Sequence, residues 1–284
     1  MTHSIGGQAV IEGVMMRSQK HLAVAVRLEN GKIKIKKQKL KKVLFSKIFF
    51  LRGITNLIDT LKLGIKTLNW SAEQQMDEDE KESSGIITVL GTIFAVVMAL
   101  GLFKFLPLFI TKAINPTNPF VFNFYDGFIK IIVFIGYLLV ISRFSEVKRV
   151  FQYHGAEHQV IGCFEAKKKL TPKNCRKYHK EHKRCGTNFL FLVIFISIFI
   201  YFLIPIKFNF FLNLLLRILF LPFIAGISYE LIKLTGKYDN WLTSLISMPG
   251  LLMQRLTTFK PDTKQLEVAI ASLQTVFKAE KIKY

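Results

Sequence analysis

The sequence has few acidic residues and few cysteines. Its 284 residues include 19 Asp and Glu against 40 Lys and Arg, a formal net charge of +21. A disordered basic chain is excluded because 51% of the residues are hydrophobic, 27 of them Phe. Three cysteines argue against a disulfide framework and for a reducing compartment with free or metal-binding thiols. The first 40 residues lack the uninterrupted apolar core of a cleavable signal peptide, so we expect none.

Four apolar stretches are long enough to cross a bilayer as helices, at residues 85–110, 120–142, 188–206 and 208–234. The second contains Asp126 and Lys130 near its start, where several aromatic residues resemble an interfacial belt. The third and fourth are separated by so short a turn that they form a hairpin. The predicted fold class is therefore a mainly α membrane protein with four transmembrane helices.

The basic residues predict the orientation of these spans. Residues 1–84 contain 15 Lys and Arg, residues 143–187 contain 12 and residues 233–284 contain 8. Under the positive-inside rule all three regions face the cytoplasm, with both termini inside. We expect a multi-pass protein of the bacterial cytoplasmic membrane whose chemistry lies on the cytoplasmic face.

The chain divides into five predicted parts. They are an N-terminal cytoplasmic region (1–84), the first two transmembrane helices (85–142), a cytoplasmic His- and Cys-rich loop (143–187), the last two transmembrane helices (188–234) and a C-terminal cytoplasmic segment with a helix (235–284).

Local patterns predict the elements outside the spans. Asn30-Gly31 between two alternating runs predicts a β hairpin with a type I′ turn. Apolar residues from Leu44 to Leu68 recur on one face of an amphipathic core, membrane-surface or partner-docking helix. The acidic run 77–82 predicts a solvated linker. A C-terminal helix is predicted after a cap at Asp262 or Thr263.

The loop between the second and third spans concentrates metal-binding residue types. It holds four of the six His and all three Cys. A helix is predicted over residues 150–161 as an inward continuation of the second span, and it carries His154, Glu157 and His158. The pattern is H-x-x-E-H, in which two His one turn apart bind zinc and the Glu transfers a proton from the attacking water. We therefore predict Glu157 as the catalytic residue and zinc as the cofactor.

A catalytic zinc needs a third protein ligand, and the sequence offers several. Cys185 and His182, just before the third span, are the leading candidates, whereas Cys163 and Glu165 are further choices. A separate structural site with four ligands is also possible, formed by Cys175, His179, His182 and Cys185. A helix beginning at Thr171-Pro172 would present the first three of these residues together. The alternative to any metal is a set of solvated or hydrogen-bonded His in a basic loop.

Two charged residues interrupt the fourth apolar stretch. Arg217 lies near its middle and Glu230 near its cytoplasmic end. Charges inside a span are costly and usually face a partner in the bundle interior. We expect Glu230 to meet the His- and Cys-rich loop, whereas the sequence identifies no partner for Arg217.

Several motifs along the whole chain resemble the YqhQ-like bacterial membrane proteins. They are GGQAVIEGVMMR (6–17), LRG (51–53), YHGAEH (153–158), HKRCGT (182–187), AGISYE (225–230), PGL (249–251), LTT (256–258) and EVAI (267–270). The resemblance implies a family of unknown function, sometimes described as predicted metal-dependent enzymes without an assigned reaction. The family pattern carries over onto eight residues: Glu12, Arg17, His154, Glu157, His158, His182, Cys185 and Glu230.

Some positions depart from that pattern or have a second interpretation. Cys175 and His179 lie outside it, which weakens the separate four-ligand site, and Asn188 stands where Ser is usual. Glu12 and Arg17 are predicted to support the site, with Glu12 contacting a His, although an ordinary strand with a surface Glu explains that position equally well.

Three functions remain open from the sequence. The first is a zinc-dependent hydrolase on the cytoplasmic face. The second is a non-catalytic membrane adaptor, whose Lys and Arg bind an acidic cytoplasmic partner such as the ribosome at a translocation site, or anionic lipid. The third is a transporter, which is supported only by Arg217. Because one chain has only four spans, this function would require the protein to oligomerise.

Overall fold

The computed structural model describes residues 5–41, 48, 51–205, 207–238 and 240–282. Within them the chain is mainly helical, with one four-stranded sheet near the N-terminus. The strands are β1 (Gly6–Val10), β2 (Gly13–Arg17), β3 (His21–Arg27) and β4 (Ile33–Lys39). The helices are α1 (Leu51–Glu73), α2 (Glu78–Leu100), α3 (Leu106–Ile114), α4 (Pro119–Ile141), α5 (Ser145–Glu165), α6 (Pro172–Cys175), α7 (Gly186–Ile200), α8 (Phe210–Leu219), α9 (Leu221–Lys237), α10 (Trp241–Thr257) and α11 (Thr263–Glu280).

Four helical segments are long and apolar enough to cross a membrane. They are Thr88–Ile114, Pro119–Ile141, Gly186–Leu203 and Phe210–Lys237. Each overlaps one of the four predicted stretches, so the mainly helical class with four helices able to span a membrane is confirmed. The first span contains a π-helical turn, Gly101–Phe105, and the fourth is two helices that meet at Phe220, one residue before α9.

The sheet is an antiparallel meander in the order β1-β2-β3-β4. The predicted hairpin is confirmed between β3 and β4, but its turn is not type I′, because only Gly31 has a positive φ, +80°. Leu28 and Lys32 close the loop through a backbone hydrogen bond of 2.9 Å. A longer loop with glycine in the left-handed region therefore replaces the two-residue turn.

Helices cover both faces of this sheet. Ala23 and Ala25 of β3 point into a core formed with α5 and α11, whereas Leu22, Val24 and Val26 pack on the other face against Leu63 of α1. Strands buried on both faces read as continuous apolar runs, as β3 does. The sheet is thus the middle layer of a compact unit at one end of the helical bundle.

The C-terminal helix α11 begins as predicted. Asp262 is its N-cap residue and accepts a hydrogen bond from the Gln265 backbone N–H at 2.7 Å, while the Asp262 N–H donates to the Gln265 side chain at 2.9 Å. This reciprocal capping box satisfies two of the amide groups that a helix start leaves free. Of the two predicted caps, Asp262 is the one used.

Four local predictions were wrong or incomplete. The acidic run 77–82 is not a linker, because α2 begins at Glu78. The helix over 150–161 does not continue the second span: α5 starts at Ser145, after extended Phe144. The helix after Thr171 is one turn long. The amphipathic helix is seen from Leu51, and residues 44–47 and 49–50 of the prediction lie outside the described part.

Helix α10 is an element that the sequence analysis did not identify. It packs on α7 and α9, with Met253 buried against Phe134 and Leu138 of α4. Its opposite face is apolar and exposed, through Trp241, Leu242, Leu245, Met248 and Leu252. Because α10 ends beside the first turn of α7, it brings residues 254–258 to the end of the bundle where α5 lies.

Candidate metal site

Helix α5 presents two different faces. Tyr153, Ala156 and Val160 enter the core formed with the sheet and α11. His154 and His158, one turn apart on the helix, lie side by side with ring centroids 4.4 Å apart. This is the arrangement that the i, i+4 spacing predicts, and it leaves both imidazoles available to one ligand.

Cys185 meets these two histidines from the start of the third span. It is the N-cap residue of α7, and its sulfur accepts a hydrogen bond from the Thr187 N–H at 3.4 Å. Its Sγ lies 3.1 Å from Nε2 of His154. One ligand atom from each of His154, His158 and Cys185 falls within 4.8 Å of the other two. The structure therefore brings together three soft donor atoms, two nitrogens and one sulfur.

Backbone carbonyl groups fix the orientation of both imidazole rings. Nδ1 of His154 lies 2.8 Å from the carbonyl oxygen of Thr257, at the end of α10. Nδ1 of His158 lies 2.5 Å from the carbonyl oxygen of Lys180. A carbonyl only accepts, so each Nδ1 carries the proton and each Nε2 keeps its lone pair. Burial lowers the pKa of His158, which also favours the neutral ring that a metal requires.

Glu157 lies between the two histidines in the sequence and is buried against β1. Its carboxyl group accepts a hydrogen bond from the backbone N–H of Gly7. Any side chain at Gly7 would collide with it, because a Cβ there would lie 2.8 Å from Oε1 of Glu157. Burial raises the pKa of Glu157 to about 7, against the opposing effect of His154 and His182. Such a carboxyl group is suited to exchanging protons near neutral pH.

His182 lies near this group but has other partners. Its ring centroid is 5.8 Å from that of His158, and its Nε2 is 3.2 Å from Oε2 of Glu165. Its backbone N–H and carbonyl both bond to the side chain of Gln254, at 2.7 and 2.9 Å. Of the two leading candidates for a third ligand, the structure brings Cys185 to the pair and directs His182 toward Glu165, which also binds Arg184.

The separate four-ligand site does not form among the described residues. Cys175 is buried in the core beside Cys163, and burial raises the pKa of both thiols. The short α6 ends at Cys175, so it cannot present His179, which is exposed. The packing of two apolar thiols, rather than metal binding, accounts for these cysteines.

Glu12 and Arg17 lie outside the group of donors. Glu12 contacts no His among the described residues; it forms a two-pronged ion pair with Arg149 of α5, and Tyr153 Oη lies 3.4 Å from it. Its φ of +51° is unusual for a residue other than glycine. The ion pair between Glu12 and Arg149 fixes the β1–β2 turn to α5, shortly before His154. Arg17 instead reaches α1, where it binds Asp59 and Thr60 at 3.3 Å.

The expected contact of Glu230 with the His- and Cys-rich loop is wrong. Glu230 binds Arg52 of α1, with Nε and Oε1 2.6 Å apart, and the neighbouring Tyr229 accepts a hydrogen bond from Asn56 at 3.0 Å. The two helices approach closely there, since a Cβ on Gly53 would lie 3.1 Å from the backbone of Gly226. The LRG and AGISYE motifs thus form a helix crossing.

Arg217 has partners that the sequence analysis did not find. Its guanidinium group binds Asp126 and Asn123 of α4 and Asn213 of α8. Sequence reasoning also missed Gly7, Gln254 and Thr257 as supports of the donor group. Thr257 acts through its backbone carbonyl, which leaves no signal in residue type, whereas the lack of a side chain at Gly7 was a signal, and Gln254 lies in the unpredicted α10.

Comparisons with known proteins identify a family and a relative. Residues 48–279 match a family described as "Protein of unknown function (DUF1385)". The chain is also 34% identical over 300 aligned positions to "Uncharacterized protein YqhQ" of Bacillus subtilis (strain 168), an alignment that covers 98% of this chain and 93% of that protein. No solved structure matches. Because the family match covers most of the chain and the relative aligns from end to end, the chain belongs to the DUF1385 family.

Proposed function

We propose that the protein is a zinc-dependent hydrolase whose metal is held by His154, His158 and Cys185. The observation that carries this proposal is the hydrogen bonding of the two rings: both Nδ1 atoms are bonded to backbone carbonyls, so both Nε2 atoms keep a lone pair, and that of His154 faces Sγ of Cys185 at 3.1 Å. Zinc-binding histidines commonly have such a partner on the second nitrogen, which fixes ring and tautomer.

The donor set fits a catalytic zinc ion better than a structural one. Structural sites use four protein ligands, whereas catalytic sites use three and keep one position open. The group contains three His, Cys, Asp or Glu side chains among the described residues. The nearby His182 is bonded to Glu165, which removes it as an obvious fourth ligand. Zinc in such a site supplies Lewis-acid activation of water or of a substrate carbonyl.

Glu157 is the proposed general base. Its buried carboxyl group would take up a proton from an attacking water and return it to a leaving group. Gly7 holds the carboxyl group from the strand side. The proposed location is the cytoplasmic face, because the loop containing the site is among the three most basic parts of the chain.

The test is elemental analysis of the full chain purified in detergent. We expect about one zinc per chain, a single ion shared by three ligands. His154→Ala and Cys185→Ala should lose the metal, whereas the matched control His179→Ala, an exposed histidine of the same loop, should retain it. Glu157→Gln should keep the zinc and abolish hydrolysis in a substrate screen. Metal-free wild-type protein that is well folded, or variants that retain zinc, would refute the proposed site.

A non-catalytic adaptor is the second candidate, and the edge strand β4 favours it. Lys34, Lys36, Lys37 and Lys39 are all exposed on this strand and create a basic strip suited to an acidic partner. The partner would be the ribosome or anionic lipid. Salt-sensitive co-sedimentation with ribosomes or with anionic vesicles tests this function. Replacing these lysines by Gln should abolish binding and leave the zinc content unchanged.

A further inference from the structure

The membrane-spanning part of the chain contains an excess of positive charge. Between residues 85 and 142 and between 186 and 229 there are five basic residues, Lys104, Lys112, Lys130, Lys207 and Arg217, but Asp126 is the only acidic one. A charge in an apolar environment is costly unless it is paired. The structure collects most of these charges in one place, well separated in sequence from the metal site.

Asp126 is shared by two cations. Arg217, with 1% of its surface exposed, donates to Asp126 through Nη1, and Lys130, 3% exposed, donates to the same carboxylate oxygen. Arg217 also donates to the side-chain oxygens of Asn123 at 2.9 Å and Asn213 at 2.7 Å. One carboxylate therefore neutralises only part of the charge around it.

Tyr201 brings a third cation to this group. Lys104 donates a hydrogen bond of 2.8 Å to Tyr201 Oη, which in turn donates to the carbonyl oxygen of Arg217 at 3.1 Å. The ring centroid of Tyr201 lies 4.5 Å from Arg217 Cζ, 4.7 Å from Lys130 Nζ and 5.2 Å from Lys104 Nζ. We refer to Lys104, Lys130 and Arg217 as the cation cluster.

The cation cluster has more hydrogen-bond donors than acceptors. Three basic side chains share a single carboxylate, so the positive charge of the group is only partly neutralised. Each ammonium group has three N–H donors and a guanidinium has five, so several have no partner in this group. The Asn213 amide nitrogen is also buried and has no hydrogen-bond partner among the described residues. On the acceptor side, Asp126 Oδ1 is likewise buried without a partner there. A surplus of donors with net positive charge is the chemistry that binds an oxyanion.

The helical backbone is irregular close to two members of the cation cluster. Lys104 lies in the π-helical turn 101–105, and Arg217 lies one turn before the break between α8 and α9. Such turns and discontinuous helices in membrane proteins often mark binding sites. Lys104 is only partly buried, so it is the member of the cluster that an entering ligand would meet first.

We propose that the cation cluster is a binding site for a phosphate group, carried by an anionic lipid or present as a free ion. Asp126 lies seven residues after the start of α4, which is about 10 Å along the helix. Arg217 lies at the same distance from the start of α8. The site is therefore within reach of lipid headgroups at the end of the bundle where α4 and α8 begin. A phosphate there supplies the negative charge that the protein lacks.

The test measures binding to the full chain in detergent by native mass spectrometry and by the midpoint of thermal unfolding. The probes are phosphatidylglycerol, zwitterionic phosphatidylcholine, and sodium phosphate against sodium chloride at equal ionic strength. Lys104→Gln should weaken binding about tenfold, as expected for the loss of one charge-assisted hydrogen bond. Lys104→Arg should restore it. Lys207→Gln removes the same charge from an exposed position and should behave as wild type.

Each outcome decides the proposal. Binding of phosphatidylglycerol alone identifies a lipid phosphate, whereas a response to sodium phosphate as well identifies the free ion as a ligand. No binding by any phosphate probe, or equal binding by wild type and Lys104→Gln, overturns the proposal. If Lys104→Gln fails to fold, Lys130→Gln tests the same cluster. Zinc content should be unchanged in all these variants, which separates this site from the metal site.

Discussion

Gly155, between the two histidines of α5, offers a sharp test of how the site is held. A Cβ added at Gly155 would lie 2.1 Å from the carbonyl oxygen of Phe259 and 3.2 Å from its carbonyl carbon. That oxygen belongs to backbone, which is itself fixed by a hydrogen bond of 2.9 Å from Phe259 N–H to the Phe151 carbonyl. Gly155→Ala must therefore push the segment after α10 away from α5 by about 1 Å, and overpacking of this kind costs about 1–3 kcal/mol.

The displacement should also reach the metal site. Thr257, whose carbonyl oxygen orients His154, is two residues before Phe259. Loss of such a supporting hydrogen bond typically weakens metal binding about 10- to 100-fold. We expect Gly155→Ala to lower both the thermal unfolding midpoint and the zinc affinity measured by competition with a chelator.

Gly91→Ala is the matched control for this variant. Nothing lies within 4 Å of a Cβ at Gly91 in the first span, so that replacement should leave both quantities unchanged or raise stability slightly. If Gly155→Ala binds zinc as tightly as Gly91→Ala, the carbonyl of Thr257 does not orient His154, and our reasoning about the site is refuted.

Three further predictions concern other contacts. Glu230→Leu and Arg52→Leu should each lower the unfolding midpoint, and the double variant should lose less than the sum of the two, because both changes break the same ion pair; additive losses would contradict this. Chelation of zinc should make Cys185 reactive to alkylation. Cys163 and Cys175 should stay protected until the protein unfolds, because burial raises the pKa of both thiols. Mass spectrometry of the labelled peptides distinguishes the three cysteines. The hydrogen bond from Ser18 lowers the pKa of Glu280, so its stabilising effect is present above the unfolded pKa and is lost as the pH falls through the folded value. Glu280→Gln should therefore reduce the acid sensitivity of unfolding, and an unchanged pH profile would count against the contact.

The sequence predicted those features that depend on local pattern. The four apolar stretches, the β3–β4 hairpin and the Asp262 cap each depend on residues close together in the chain. The His154 and His158 pair was found for the same reason, since helical spacing alone places both rings on one face.

Features that depend on contacts between distant segments were not predictable. Glu230 was assigned to the wrong partner because nothing in the sequence indicates that α1 crosses α9 at Gly53 and Gly226. The choice between His182 and Cys185 depended on Gln254, which holds the backbone of His182 from α10. Helix α10 was missed because its exposed apolar residues and internal Pro249 do not resemble the amphipathic pattern of a soluble helix.

The origin of the three donor side chains has a consequence for biosynthesis. His154 and His158 lie on α5, Cys185 begins the third span, and the carbonyl that orients His154 comes from Thr257. No single segment can bind the ion tightly by itself, and the last contributor is synthesised about a hundred residues after the first. The ion would therefore reach its full affinity only after α10 has been synthesised and has packed beside α5. Metal affinity would then increase as the chain reaches its complete topology, and a chain stalled before α10 would hold the ion more weakly.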